Sequence, residues 1–148
     1  MLEFSFGAAV RGTPERDFAT IAHLESLPDH IRDIDGIELL TNGPVGQGTR
    51  FYHHRRLIGF KVRRPVTIVE WNPPARFVAR FRVVGIDVDS DHVIERRKDG
   101  CHFTLSLRST PYGIRRLVGT TIWFLLLRAI RRGVRREVED VQRRLHGA

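Results

Sequence analysis

The chain has 148 residues, 25 Lys and Arg against 17 Asp and Glu for a net charge of +8, and one cysteine, Cys101. That length suits one domain, in which roughly 70% of the unfolded surface is buried, so residues 1–148 are read as a single domain. One cysteine excludes an internal disulfide and a cysteine-based zinc site.

The N-terminus has Glu3 and no basic run followed by an apolar one, so no signal peptide is expected. The longest uncharged apolar window, 117–127, falls short of the ~20 residues a membrane-spanning helix needs. With a single cysteine the fold needs no oxidising compartment, and a cytoplasmic protein is expected. Residues 1–48 carry 3 basic and 8 acidic groups, residues 49–112 carry 13 and 6, and residues 113–148 carry 9 and 3. A basic stretch suits nucleic acid or an anionic membrane, but Arg outnumbers Lys 23 to 2, a skew that a GC-rich genome produces without functional demand. No nucleic-acid docking motif or stacking platform accompanies the charge, and no nucleic-acid partner is expected.

Residues 2–10 alternate, with Leu2, Phe4, Phe6, Ala8 and Val10 on one side, which predicts a half-buried strand. Thr13-Pro14-Glu15 supplies an N-cap, a proline at the first helical position and an acid in the first turn, so a short helix begins there. Residues 27–31 read as a second short helix, and a strand starts at Gly36. Turn residues then divide five further strands, at 48–57, 60–71, 76–84, 86–96 and 102–109. If Val84-Gly85 is the turn between the third and fourth of these, Arg82 faces Asp87 and Arg80 faces Asp89 on an ionic outer face. The same register sends Phe77, Ala79, Phe81 and Val83 inward beside Ile86, Val88, Ser90, His92 and Ile94. Finally, Trp123, Leu127, Ile130, Val134, Val138, Val141 and Leu145 follow at spacings of 3 and 4, the apolar stripe of a helix running from about 115 to 145. Its exposed faces are expected to hold the pairs Arg135–Glu139, Arg136–Asp140, Glu139–Arg143 and Asp140–Arg144.

This order of elements resembles the START-like, birch-pollen-allergen-like superfamily across the whole chain. The branch it is most similar to is the polyketide cyclase/dehydrase one. The residues that carry the resemblance are Thr13-Pro14-Glu15-Arg16-Asp17-Phe18, Leu27-Pro28-Asp29-His30-Ile31, Gly46-Gln47-Gly48-Thr49-Arg50 and Val69-Glu70-Trp71-Asn72-Pro73-Pro74-Ala75-Arg76-Phe77. The chain departs from that branch at His30, where an aromatic residue is usual. The resemblance implies an α+β helix-grip fold: a curved antiparallel sheet of about seven strands, two short helices, and one long C-terminal helix over a hydrophobic cavity.

With that fold, Tyr52, Arg55, Phe77, Phe81, Val88, Ser90, Phe103, Leu105, Leu107, Trp123, Leu127 and Ile130 are the candidate ligand-binding residues. The same apolar groups could instead close on one another as solid core. Binding of a lipid or polyketide-like molecule, with transport as its extension, is the first functional reading. The second is a polyketide cyclase or dehydratase with inward-facing His92 as general base and Glu70 as a second acid/base group, unless Glu70 pairs with a nearby Arg. Of Tyr52, His53, His54 and Arg55, alternate members must face inward, and the sequence leaves open which pair. His53 and His54 point to opposite faces of a strand, so they do not jointly chelate a metal, and no metal or other cofactor is expected.

The segment Ile122–Leu127 is apolar all round and is followed by Arg128, Arg131 and Arg132. It is read as packing within the fold, a cavity mouth, a dimer contact or a transient contact with an anionic membrane. Monomer and homodimer both stay open.

Overall fold

The computed structural model describes the backbone of residues 2–57, 59–83, 86–109 and 120–147, and within these spans leaves aside the side chains of residues 2, 57, 83, 86, 120–124, 126 and 147. The expected turn at Val84-Gly85, the helix start at 115–119 and the side chains of Ile122, Trp123 and Phe124 lie outside the described residues.

Seven strands form one antiparallel sheet: β1 (Leu2–Val10), β2 (Ile34–Leu39), β3 (Arg50–Leu57), β4 (Phe60–Asn72), β5 (Arg76–Val83), β6 (Ile86–Arg97) and β7 (Gly100–Ser109). Their order across the sheet is β1-β7-β6-β5-β4-β3-β2. Every neighbour from β2 to β7 is sequential, as short connections dictate. Only β1 pairs out of sequence, lying against β7 from Leu2↔Ser109 to Val10↔Cys101. Between β1 and β2 the chain forms α1 (Pro14–Ile21), a 3-10 turn (Leu24–Ser26) and α2 (Leu27–His30). The hydroxyl of Thr13 accepts from Arg16 N at 3.3 Å, capping α1. At the β6–β7 turn, Gly100 has φ +139, and a Cβ there would meet the Val10 carbonyl oxygen at 2.5 Å. Only glycine fits that close approach.

The register of β5 and β6 is the one the charge pattern predicts: Arg80 opposes Asp89 and Arg82 opposes Asp87, with N–O distances of 2.7 and 2.9 Å. A β-bulge between Ile68 and Glu70 changes the parity of β4. Val66 and Ile68 face inward before it; after it Trp71 does, and Glu70 is turned to the outer face.

The long helix α3 (Thr120–Gly147) lays its stripe across the sheet, with Val134, Val138, Val141 and Leu145 all buried. At 1.5 Å per residue it spans about 42 Å. Polar anchors fix its C-terminal half. Asp140, 2% exposed, accepts from the backbone N–H and the Nε of Arg32, both at 2.9 Å. Gln142 donates to the Ala9 carbonyl at 2.9 Å. The expected Arg136–Asp140 and Asp140–Arg144 pairs are thus replaced: Asp140 is turned under the helix to Arg32 and to Arg143, and Arg136 reaches Asp33 at 3.7 Å. Among the described residues no helix is long and apolar enough to cross a membrane.

Candidate functional site

The sheet and α3 do not close uniformly. At one end, Val10, Phe18, Cys101, Phe103, Leu105, Val138 and Leu145 pack as solid core, with Phe103 and Leu105 at 0% and 1% exposure. Toward the N-terminal half of α3 the two layers separate around a cavity of about 540 Å³, within the usual range for small-molecule sites. Its walls include Phe4, Phe51, Val66, Phe77, Phe81, Val88 and Leu107 from the sheet, Ile21, Leu24 and Leu27 from the short helical segments, and Leu127, Ile130 and Val134 from α3. Asp33, Arg56, Gly59, Arg132 and Arg136 line it as well, and Arg56 and Arg132 keep solvent contact. Phe18, Trp71 and Phe77 form an aromatic cluster beneath one wall, with centroids 5.1 to 5.8 Å apart.

Five polar side chains face one another inside this apolar shell. On β3, His53 and Arg55 point in, and Arg64 stands opposite His53 on β4. From β6 comes His92, its ring stacked on Phe77 at 4.2 Å and 9°. Its Nδ1 lies 3.2 Å from the Ser90 carbonyl oxygen. A carbonyl can only accept, so this bond places the proton on Nδ1 and leaves Nε2 with a free lone pair. Glu137 of α3 completes the set, with its carboxylate 2.8 Å from Arg55.

Burial works on each of these groups, and neighbouring charges decide the outcome. It pushes His53 down to about 3, with Arg55 and Arg64 reinforcing the shift, and it lowers His92. Both imidazoles are therefore neutral near pH 7. On Glu137 burial acts upward, but the charge and the hydrogen bond of Arg55 lead the opposing effects, which hold the carboxyl below its ordinary value. Arg64, buried and next to Arg55, is pushed down to about 10 and still carries its charge at neutral pH. Its guanidinium lies 3.9 Å over the Phe81 ring, and its Nε is buried without a hydrogen-bond partner.

The structure brings Arg55, Phe77, Phe81, Val88, Ser90, His92, Leu107, Leu127 and Ile130 of the sequence-predicted set to the cavity. Four members fall elsewhere. Tyr52 lies on the outer face under Arg63, 4.1 Å from the guanidinium carbon to the ring centroid. Phe103 and Leu105 belong to the solid core. Glu70 takes the alternative its place before a turn suggested: the β4 bulge turns it outward, where Arg76 pairs with it at 2.9 Å. Trp123 has its side chain outside the described residues. His30 faces a depression shared with Asp140 and Arg144 rather than this cavity.

Sequence reasoning overlooked Arg64 and Glu137. A signal existed for Glu137, which stands 3 residues from Val134 and 4 from Val141 and so interrupts the apolar stripe with a carboxylate. Among the described residues no cluster of three His, Cys, Asp or Glu side chains could hold a metal ion.

No protein-family model and no curated protein matches the sequence. Solved structures do match the fold. The protein TTHA0849 from Thermus thermophilus superposes with a TM-score of 0.80 at 18% identity, covering 97% of both chains. The Zhui aromatase/cyclase from Streptomyces sp. R1128 also reaches 0.80, at 11% identity over 97% of this chain and 93% of that one. Ara h 8.0201 gives 0.73 at 15% identity over 97% of each. At such identities the likeness is one of fold, and the chain has the helix-grip fold that these structures share, a seven-stranded antiparallel sheet with a long C-terminal helix.

Proposed function

We propose that residues 1–148 act as one domain that binds, and carries, an apolar small molecule of the lipid or polyketide kind between the sheet and α3. The observation that supports this most is the cavity of about 540 Å³, apolar in its walls and oriented by a few polar groups. A solid core would need no His53, Arg55, Arg64, His92 and Glu137 at its centre, since buried polar groups are costly unless they serve a specific contact. Saturable binding of the neutral dye Nile red, one per chain, is expected. Ser90→Trp, which fills the cavity, should abolish it, and Arg80→Trp on the outer face should not. Equal binding by both variants would show that the dye sits elsewhere and that the cavity reading is wrong.

A second reading, a cyclase or dehydratase, draws support from His92 and from the aromatase/cyclase among the structural neighbours. A neutral imidazole with Nδ1–H held by a carbonyl presents Nε2 as a base. It could take a proton from carbon alpha to a ligand carbonyl, leaving an enolate beside Arg64 and Arg55, and return that proton to a departing hydroxyl as water is lost. His92→Ala should then abolish turnover of a poly-β-ketone substrate while leaving Nile red binding intact; unchanged turnover would refute this role.

A further inference from the structure

We propose that the cavity's ligand carries an anionic oxygen acid, a carboxylate or comparably acidic enol, and that the Arg64 guanidinium receives it. The inference rests on the reading of the cavity as a ligand site and adds the chemical class of what enters it.

The charges lining the cavity do not balance. Glu137 pairs with Arg55 at 2.8 Å, and Asp33 with Arg136 at 3.7 Å. Arg56 pairs with Asp35 at 3.2 Å. Arg132 is exposed. That leaves Arg64 as a largely buried cation that feels the charge of Glu137 at longer range but has no carboxylate in ion-pair reach among the described residues. The Phe81 ring under its plane fixes its attitude, but a ring face does not satisfy N–H donors. The two histidines that line the cavity, His53 and His92, are neutral near pH 7 and add no counter-charge.

In the unliganded protein, water can solvate the guanidinium's terminal nitrogens from the cavity. An apolar ligand without an acid would expel that water and leave a cation unpaired in an apolar enclosure, which is strongly unfavourable. An acid changes the sign. Its two oxygens match the guanidinium fork, and charge-assisted hydrogen bonds form where low dielectric strengthens them. Arg55 stays with Glu137, so the anion is received without breaking the existing pair.

Two matched pairs test this: dodecanoate against 1-dodecanol and 2-naphthoate against 2-naphthylmethanol, titrated calorimetrically at pH 7.5 into the wild type and Arg64→Gln. The expected result is that, in at least one pair, the acid binds about tenfold or more tightly than the alcohol, and that Arg64→Gln removes the preference by weakening the acid and tightening the alcohol. Acid and alcohol binding equally well would overturn the inference and leave the cavity reading standing. A preference that survived Arg64→Gln would place the anion elsewhere and overturn the assignment to Arg64. Binding of none of the four compounds would remove the inference together with the cavity reading.

Discussion

The outer and inner faces of the same sheet hold arginine–carboxylate pairs of nearly the same length in opposite surroundings. Outside, Arg80–Asp89 and Arg82–Asp87 lie at 2.7 and 2.9 Å with exposed or half-exposed side chains. Inside, Arg55–Glu137 lies at 2.8 Å with its side chains only 13% and 14% exposed. Distance is therefore not what distinguishes them. The outer pairs stand in water, where attraction is screened and side-chain ordering offsets much of the gain. The inner pair is largely withdrawn from bulk water, so its attraction is stronger but is largely cancelled by desolvation. The outer charges reinforce strand register. The inner ones contribute little net stability and instead hold polar groups where a ligand can reach them.

The largest effect that could break this comparison is loss of one inner partner. Glu137→Leu leaves Arg55 unpaired next to an already unpaired Arg64, and a destabilisation of roughly 3 kcal/mol is expected in denaturant unfolding. The double variant Arg55→Met/Glu137→Leu removes both charges and should recover most of that loss. A single variant no less stable than the wild type would mean that water reaches the pair freely.

Next comes the pH dependence set by the inner histidines. His53 has a folded pKa of about 3 against 6.5 for a free histidine, so below 6.5 the unfolded chain binds a proton the folded one refuses. Stability is thus fully present above pH 6.5 and falls as pH drops from there toward 3, by about 2 kcal/mol between pH 7 and pH 5 from this residue alone. His92 and His30 shift in the same direction. Glu137, with its lowered pKa, adds a loss that sets in nearer its ordinary 4.5. Asp17, raised by burial, acts in the opposite sense. The decisive quantity is therefore the difference between wild type and His53→Leu, whose stability should decline less steeply from pH 7 to pH 5. Parallel curves would show that His53 is protonated in the folded protein.

The same contrast governs what could be read from sequence. Element order, the α3 stripe and the β5–β6 register were legible because they rest on local periodicity and on charges at directly opposed positions. The interior was legible only in part. Parity along β4 is reset by a bulge at Val69, a backbone event without a glycine or proline to announce it, so the sides of Glu70 and Trp71 could not be counted from Val66. Phe103 and Phe81 share one face of one sheet, yet one is core and the other cavity wall. Where α3 parts from the sheet decides that, and no local pattern encodes it. Asp140 looks like an ordinary helix-surface charge until Arg32 is packed against it, and Glu137, although it interrupts the stripe, has no partner to be named until Arg55 of β3 meets it.

The smallest expected effect sharpens the comparison from the outer side. A double-mutant cycle on Arg80→Gln and Asp89→Asn should give a coupling of about 0.5 kcal/mol, well under the loss from Glu137→Leu, because the side chains are 50% and 30% exposed and their attraction is damped by water. Raising the salt from 0.1 M to 1 M shortens the screening length from about 10 Å to about 3 Å, which should reduce that coupling further while barely changing the cost of losing Glu137, whose partner lies beyond easy reach of ions. The swap Arg80→Asp/Asp89→Arg should fold to the same sheet with nearly wild-type stability, since register needs opposite charges at opposed positions rather than a particular order. If the outer coupling instead matched the inner one and ignored salt, burial would not be what separates the two faces, and the cavity's charged groups would have to be regarded as ordinary structural pairs.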